Sequence, residues 1–194
     1  SQAYIEKNNI DIVPLSVSFD GETYYRDGID ITRNECYKRM VENPGVYPKT
    51  SLPSVEQYAN VFEEYAKTNT PVVCFTISLI FSGSFNSAIN ARELVLEDYP
   101  DAEIHVIDSK QNTVTQALII DQMVRMQKAD LPLDLALKNI EKVIDSARIF
   151  FTVGSLDYLQ MGGRIGKVAA AAGKIDVKPV IIMKNGDIGL GGIG

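Results

Sequence analysis

The stretch TISLIFSGSFNSA, residues 76–88, sets four hydroxyls, Ser78, Ser82, Ser84 and Ser87, around one glycine, Gly83. Hydroxyls beside a flexible backbone position can converge on a small acceptor such as a carboxylate without bringing a charge to it. A second cluster, KTSLPS at residues 49–54, holds Thr50, Ser51 and Ser54. Ser54 stands three residues before Gln57, the spacing of a capping box, which leaves Thr50 and Ser51 without a structural task. One reading makes Ser82 or Ser84 simply the N-cap of a following helix, a role that needs one hydroxyl. The other makes the surplus hydroxyls, with the free N–H groups of the helix start, a neutral cradle for an anion. From these residues alone both readings stand.

Other chemistry finds little support. FSGS is not the G-x-S-x-G elbow, and the single histidine, His105, sits in a strand pattern and reads as a core residue. GGRIGK, residues 162–167, lacks the four-residue spacer and the hydroxyl after lysine of a phosphate-binding P-loop. Asp108 and Asp157 have no metal-ligand spacing and read as turn or cap residues. Cys36 and Cys74 show neither a disulfide nor a metal pattern, so both read as reduced apolar side chains. The formal charge is −6, and the 19 Lys and Arg are unclustered, which argues against nucleic acid as a partner. No apolar run approaches the roughly 18 residues of a membrane span, and the N-terminus lacks a signal-peptide layout, so a cytoplasmic protein without a membrane anchor is expected. Both ends read as cut from a longer chain.

The elements that must position these groups are legible from periodicity. Of the 194 residues 45% are hydrophobic, enough for a sizeable core. Residues 11–19 alternate as a strand leading through Asp20-Gly21 into a hairpin. Thr32 and Glu35 form a capping box for a helix that Pro44-Gly45 ends, and a loop runs to Ser54, where a second helix begins. A strand over 72–77, a helix over 85–97, a strand over 102–107 and a helix over 114–128 follow. Asp130 is expected to cap a helix over 133–146, ahead of strands at 148–153 and 179–183, the latter followed by an Asn185-Gly186 turn. This alternation predicts an α/β protein, mostly parallel sheet with helices on both faces, with one domain over 1–147 and the start of a second, incomplete α/β domain over 148–194.

The pieces resemble the DegV family, also called the FakB fatty-acid-binding subunits. The resemblance runs in order through KTSLPS (49–54), ISLIFSGSFNSA (77–88), IHVIDSK (104–110), LDYLQMGGRIG (156–166) and VKPVIIMKNGDI (177–188). It implies a two-domain fold that binds a long-chain fatty acid, with no other cofactor and no catalytic residue of its own. The carboxylate would be held by Thr50 and Ser82, with Ser51, Gly83 and Ser84 beside them, and the tail would lie in an apolar tunnel. A partner fatty acid kinase would phosphorylate the bound acid for phospholipid synthesis, with Arg164 the best positive group for the phosphate or the partner. Many relatives read Ser-Ser-x-Leu-Ser-Gly-Thr-Tyr where this chain reads Ser78-Leu79-Ile80-Phe81-Ser82-Gly83-Ser84-Phe85, so the second serine is replaced. Relatives also begin with a strand ending in Asp-Ser and continue past residue 194 with further head-group contacts. A serine-dependent phosphotransferase or hydrolase using Ser82, and a sensor of another small carboxylate, are the alternatives; a nucleophile would need a nearby base, which the sequence does not display.

Overall fold

In the computed structural model, which describes residues 2–164, 168 and 179–193, the chain packs as two compact units. One comprises Ser1–Val72 with Asn86–His105, the other Val73–Phe85 with Val106–Gly194. The boundary expected near residue 148 falls inside the second unit.

The first unit opens with α1 (Gln2–Lys7) and a three-stranded antiparallel sheet in which β1 (Ser16–Ser18) lies between β2 (Tyr25–Arg26) and β3 (Lys49–Ser51). β1 is shorter than the alternation over 11–19 predicts; Pro14 has no N–H to give to a ladder, and pairing begins only beyond it. The Asp20 turn closes the hairpin. Its carboxylate accepts from the N–H groups of Glu22 and Thr23, both at 2.8 Å, which holds it well below the usual carboxylate range. Helix α2 (Arg33–Glu42) starts on the expected capping box: Thr32 Oγ1 accepts from Glu35 N–H at 3.2 Å, and Glu35 accepts from Thr32 N–H at 2.8 Å. Arg39 on α2 lies over the rings of Phe19 and Tyr25, 5.5 and 4.8 Å from their centroids. Ser54 and Gln57 start α3 (Val55–Ala66) in the same reciprocal way, and the apolar stripe buries Tyr58, Ala59, Phe62 and Ala66.

Two strands lead toward the serine-rich segment, β4 (Val72–Thr76) and β5 (Ile104–Asp108). Val72 N–H donates to Glu103 C=O at one end and Ser109 N–H to Thr76 C=O at the other, so β4 and β5 run in the same direction. The other pairings between these strands among the described residues are antiparallel. Between β4 and β5 runs α4 (Ser84–Asp98), which buries Ala88, Ala91 and Val95. α5 (Thr113–Lys128) and α6 (Leu133–Ser146) then form a core from Ile119, Met123, Ala136, Ile140 and Ile144, packed against Val73 and Phe75 of β4 and Ile107 of β5. Asp130 does not cap α6. It ends α5 instead, at φ +53° with its N–H on Gln127 C=O, and Pro132 takes the N-cap position without a side-chain cap. β6 (Ile149–Phe151), α7 (Asp157–Met161), β7 (Pro179–Lys184) and β8 (Asp187–Ile193) complete the second unit. The antiparallel sheet β6-β7-β8 turns Ile181, Met183 and Ile188 inward, with Ile149 and Phe151 against them, and leaves Phe150 60% exposed. No helix among the described residues is long and apolar enough to cross a membrane.

One ionisable contact in the first unit sets a testable pH dependence. Tyr65 Oη donates to Asp11 Oδ2, and that bond, reinforced by burial, pushes the phenol up to about 12 from its ordinary value of 10.0. A raised folded value favours the protonated form, so this contribution is fully present below pH 10 and is lost as pH rises toward 12. Tyr65→Phe is expected to flatten the difference in stability between pH 9 and pH 12, read from urea midpoints. Parallel curves for the two proteins would show that the pair carries no such dependence.

Candidate functional site

Ser78 turns out to be the centre of the serine-rich loop. It is fully buried, and its carbonyl accepts from Phe81 N–H at 3.0 Å and Ser82 N–H at 3.2 Å. Its N–H donates to Gln111 C=O at 3.0 Å, and its hydroxyl accepts from Ile80 N–H at 3.3 Å while donating to Gly186 C=O at 2.5 Å. Asp108 behaves as the strand-end turn residue its position predicts: its carboxylate accepts from Leu79 N–H at 3.3 Å and Lys110 N–H at 2.9 Å. Phe81 packs on the core of the β6-β7-β8 sheet, while Leu79 and Ile80 are exposed.

Ser82 and Ser84 come together beyond that turn. Their hydroxyls lie 2.7 Å apart, and Ser84 N–H donates to Ser82 Oγ at 3.2 Å. Ser82 Oγ therefore accepts from the first residue of α4, while Gly83 holds the position just before the helix, and the hydroxyl of Ser84 is its partner. Gly83 stands between them in the turn, Ser82 is half-buried and Ser84 buried. Among the described residues the side-chain partner of Ser82 is another hydroxyl, which supplies no general base. His105 is not a core residue: it is half-buried, with Nε2 2.9 Å from Glu103 Oε1, because its position on β5 leaves the ring edge at the surface.

Thr50 and Ser51 belong to the first unit, where the expected loop is the short strand β3. Thr50 pairs with Val17 and Ser51 with Ser16 across the ladder, and both side chains are exposed; Ser51 Oγ makes a long contact to Leu52 C=O at 3.5 Å. Backbone pairing with β1 outweighs the turn character of the Pro48 and Pro53 that flank the segment.

Arg164 is placed by the end of α7. Gly163 N–H donates to Gln160 C=O at 3.0 Å and Arg164 N–H to Leu159 C=O at 2.9 Å, the paired bonds of a Schellman cap with Gly163 at φ +69°. A Cβ on Gly162 would meet Tyr158 O at 3.1 Å. Glycine is therefore favoured at both positions, at Gly163 by its backbone conformation and at Gly162 by the close Tyr158 carbonyl, and Arg164 follows the cap. Its guanidinium donates to Gly162 C=O and, at 3.4 Å, to Phe81 C=O, bridging the α7 cap to the serine-rich loop. These residues, with Ile80 and Asp187, line a cavity of about 320 Å³ that carries one cation and one carboxylate at its wall. Asp187 is the first residue of β8 after the Asn185-Gly186 turn, whose two residues sit at φ +54° and +83° as a two-residue hairpin requires. Residues 165–167, which complete the GGRIGK motif, lie outside the described residues.

Sequence reasoning missed the roles of Ser78, Gln111 and Gly186. Ser78 was legible only as one hydroxyl among four, and its partner is 108 residues away. Among the described residues no group of three or more His, Cys, Asp or Glu could hold a metal ion. Burial pushes the Cys74 thiol up to about 12, which makes it a poor nucleophile.

Residues 1–191 match the family model described as "Uncharacterised protein, DegV family". The chain is similar, at 70% identity and a TM-score of 0.97 over its whole length and 67% of the other chain, to the crystal structure of a stearic-acid-binding protein from Eubacterium ventriosum. It is similar at 27% identity and a TM-score of 0.88, again over its whole length and 67% of the other, to a fatty-acid-binding DegV family protein from Thermus thermophilus. A DegV domain-containing protein of Clostridium perfringens is 32% identical over 187 residues, 95% of this chain; the chain spans 63% of that relative's length. The mixed α/β architecture is that of these structures.

Proposed function

The chain belongs to the DegV family, and from that premise we propose that it binds one long-chain fatty acid and presents it to a separate fatty acid kinase. The carboxylate is held by the hydroxyls of Thr50 and Ser82, with Ser51, Gly83 and Ser84 completing the head-group cradle, and the acyl chain lies in an apolar tunnel. The kinase supplies ATP chemistry: a carboxylate oxygen attacks the γ-phosphorus, the new O–P bond forms as the bond to ADP breaks, and the acyl phosphate enters phospholipid synthesis. The protein works in the cytoplasm without a stable membrane anchor. The observation that carries this reading is the Ser82–Ser84 hydroxyl pair at the head of α4, in a chain so similar to a stearic-acid-binding protein.

The energetics support the division of labour. Each buried methylene contributes about 0.8 kcal/mol, so a tail of about fourteen yields on the order of 11 kcal/mol before ordering costs. The tail supplies affinity, and the head group needs only to set register. Neutral hydroxyls suit that role because a close ion pair would draw electron density from the oxygen that must attack phosphorus. Native mass spectrometry of the purified full-length protein should find a single co-purified long-chain acid. A protein that carries none and takes up none when offered stearate would overturn the reading, and ester hydrolysis or acyl phosphate formed without kinase would favour a serine enzyme.

Arg164 is assigned to the phosphate or to the kinase surface rather than to the acid. Arg164→Ala is expected to leave stearate affinity within about twofold while slowing acyl phosphate formation roughly ten- to hundredfold, the size of one hydrogen bond to a charged group. Unchanged turnover with added kinase and ATP would remove Arg164 from the mechanism.

A further inference from the structure

The Ser78 hydroxyl reaches across the second unit to a carbonyl that has a reason to be where it is. Gly186 is buried, sits at φ +83°, and a Cβ there would come within 3.0 Å of Ser78 Oγ. Glycine is thus favoured here on two separate counts, backbone conformation and the close approach of this one hydroxyl. Residues on both sides of the bond line the cavity: Ile80 and Phe81 follow Ser78, and Asp187 follows Gly186. The same serine organises the loop internally, since its carbonyl holds the N–H groups of Phe81 and Ser82 and its hydroxyl holds that of Ile80. Behind it Gln111, fully buried, accepts Ser78 N–H on its carbonyl and donates its side-chain amide to Ala147 C=O at 3.2 Å, so the anchor is itself fixed. Five hydrogen bonds converge on Ser78.

We infer that Ser78 is the positioning residue of the head-group site: by donating to the Gly186 carbonyl it clamps the serine-rich loop against the β7–β8 turn, and so sets where the Ser82 hydroxyl stands and how wide the cavity beside Arg164 is. The assignment rests on the fatty-acid reading for its functional consequence, but the clamp itself does not. Ser78 acts through Ser82, so its loss should matter only while the Ser82 hydroxyl is present.

The test uses the full-length protein, stearate as probe and the variants Ser78→Ala, Ser82→Ala and the pair. Ser78→Ala is expected to weaken stearate binding about tenfold, and the pair to bind no more weakly than Ser82→Ala alone. Hydrogen exchange should accelerate at the amides of Ile80, Phe81 and Ser82 while the amides of α6 keep their protection, because the fault is local. Ser78→Gly, which removes the hydroxyl without adding bulk at this fully buried position, serves if the alanine variant does not fold. Wild-type affinity in Ser78→Ala, or an equal loss in the presence and absence of the Ser82 hydroxyl, would overturn the inference. Failure of the wild-type protein to bind stearate would count against the functional reading, and exchange at Ile80, Phe81 and Ser82 would still decide the clamp, unchanged protection there overturning it.

Discussion

Removal of the two hydroxyls proposed to hold the head group, Thr50→Ala with Ser82→Ala, is expected to cut stearate affinity by roughly two to four orders of magnitude. Hydrogen bonds to a charged group contribute about 1.5 to 3 kcal/mol each, and each 1.4 kcal/mol is tenfold in affinity. A carboxylate left inside an apolar site without donors loses more than the bonds themselves, because its desolvation is no longer offset. The two single variants should differ in a second respect that follows from their surroundings. Ser82 Oγ accepts Ser84 N–H at the start of α4, so Ser82→Ala removes a helix-end acceptor and should also lower stability by about 1 kcal/mol. Thr50 is exposed on β3, held there by backbone pairing, so Thr50→Ala should leave stability within about 0.5 kcal/mol. Displacement of a fluorescent fatty acid gives the affinities and urea unfolding gives the stabilities. A double variant that binds like the wild type would remove both hydroxyls from the site, and a loss that tracks stability alone would return Ser82 to the plain role of a cap.

Ile140→Ala should be the most damaging single truncation in the second unit, at about 2 to 5 kcal/mol. Ile140 is fully buried at the centre of the cluster formed with Ile119, Met123, Ala136 and Ile144. Its position on α6 follows from the i, i+4, i+8 spacing of Ala136, Ile140 and Ile144, which places all three on one face. Truncation leaves a cavity that close packing cannot fully collapse, so the loss exceeds the transfer free energy of the missing methyl and methylene groups. The consequence reaches the site by a physical route: Val73, Phe75 and Ile107 pack on this cluster, and the strands that carry them end at Thr76 and Asp108, which lead into the serine-rich loop and its anchor. Leu118, 62% exposed on α5, is the control, and Leu118→Ala should stay within about 0.5 kcal/mol. Urea midpoints at constant m-value measure both. A loss below about 1 kcal/mol for Ile140→Ala would mean that the cluster is not the core of this unit.

Local chemistry decided much of this protein from the sequence alone. Thr32 with Glu35 and Ser54 with Gln57 start their helices because a capping box is closed within four residues, whatever the rest of the chain does. The Asn185-Gly186 turn and the apolar stripes of α3 and α6 are of the same kind, and the order of the family motifs was readable without any coordinates. Tertiary structure decided what depends on a distant partner. Lys49–Ser51 is a strand rather than a loop because β1 offers it a ladder, and Asp130 ends α5 rather than capping α6 because its backbone is held at φ +53°. Four serines look alike in the sequence, yet Ser82 and Ser84 satisfy each other while Ser78 reaches a carbonyl 108 residues away. A hydroxyl has no preferred partner until folding brings one within 3 Å, so its type is written in the chain and its task is set only by the packing around it.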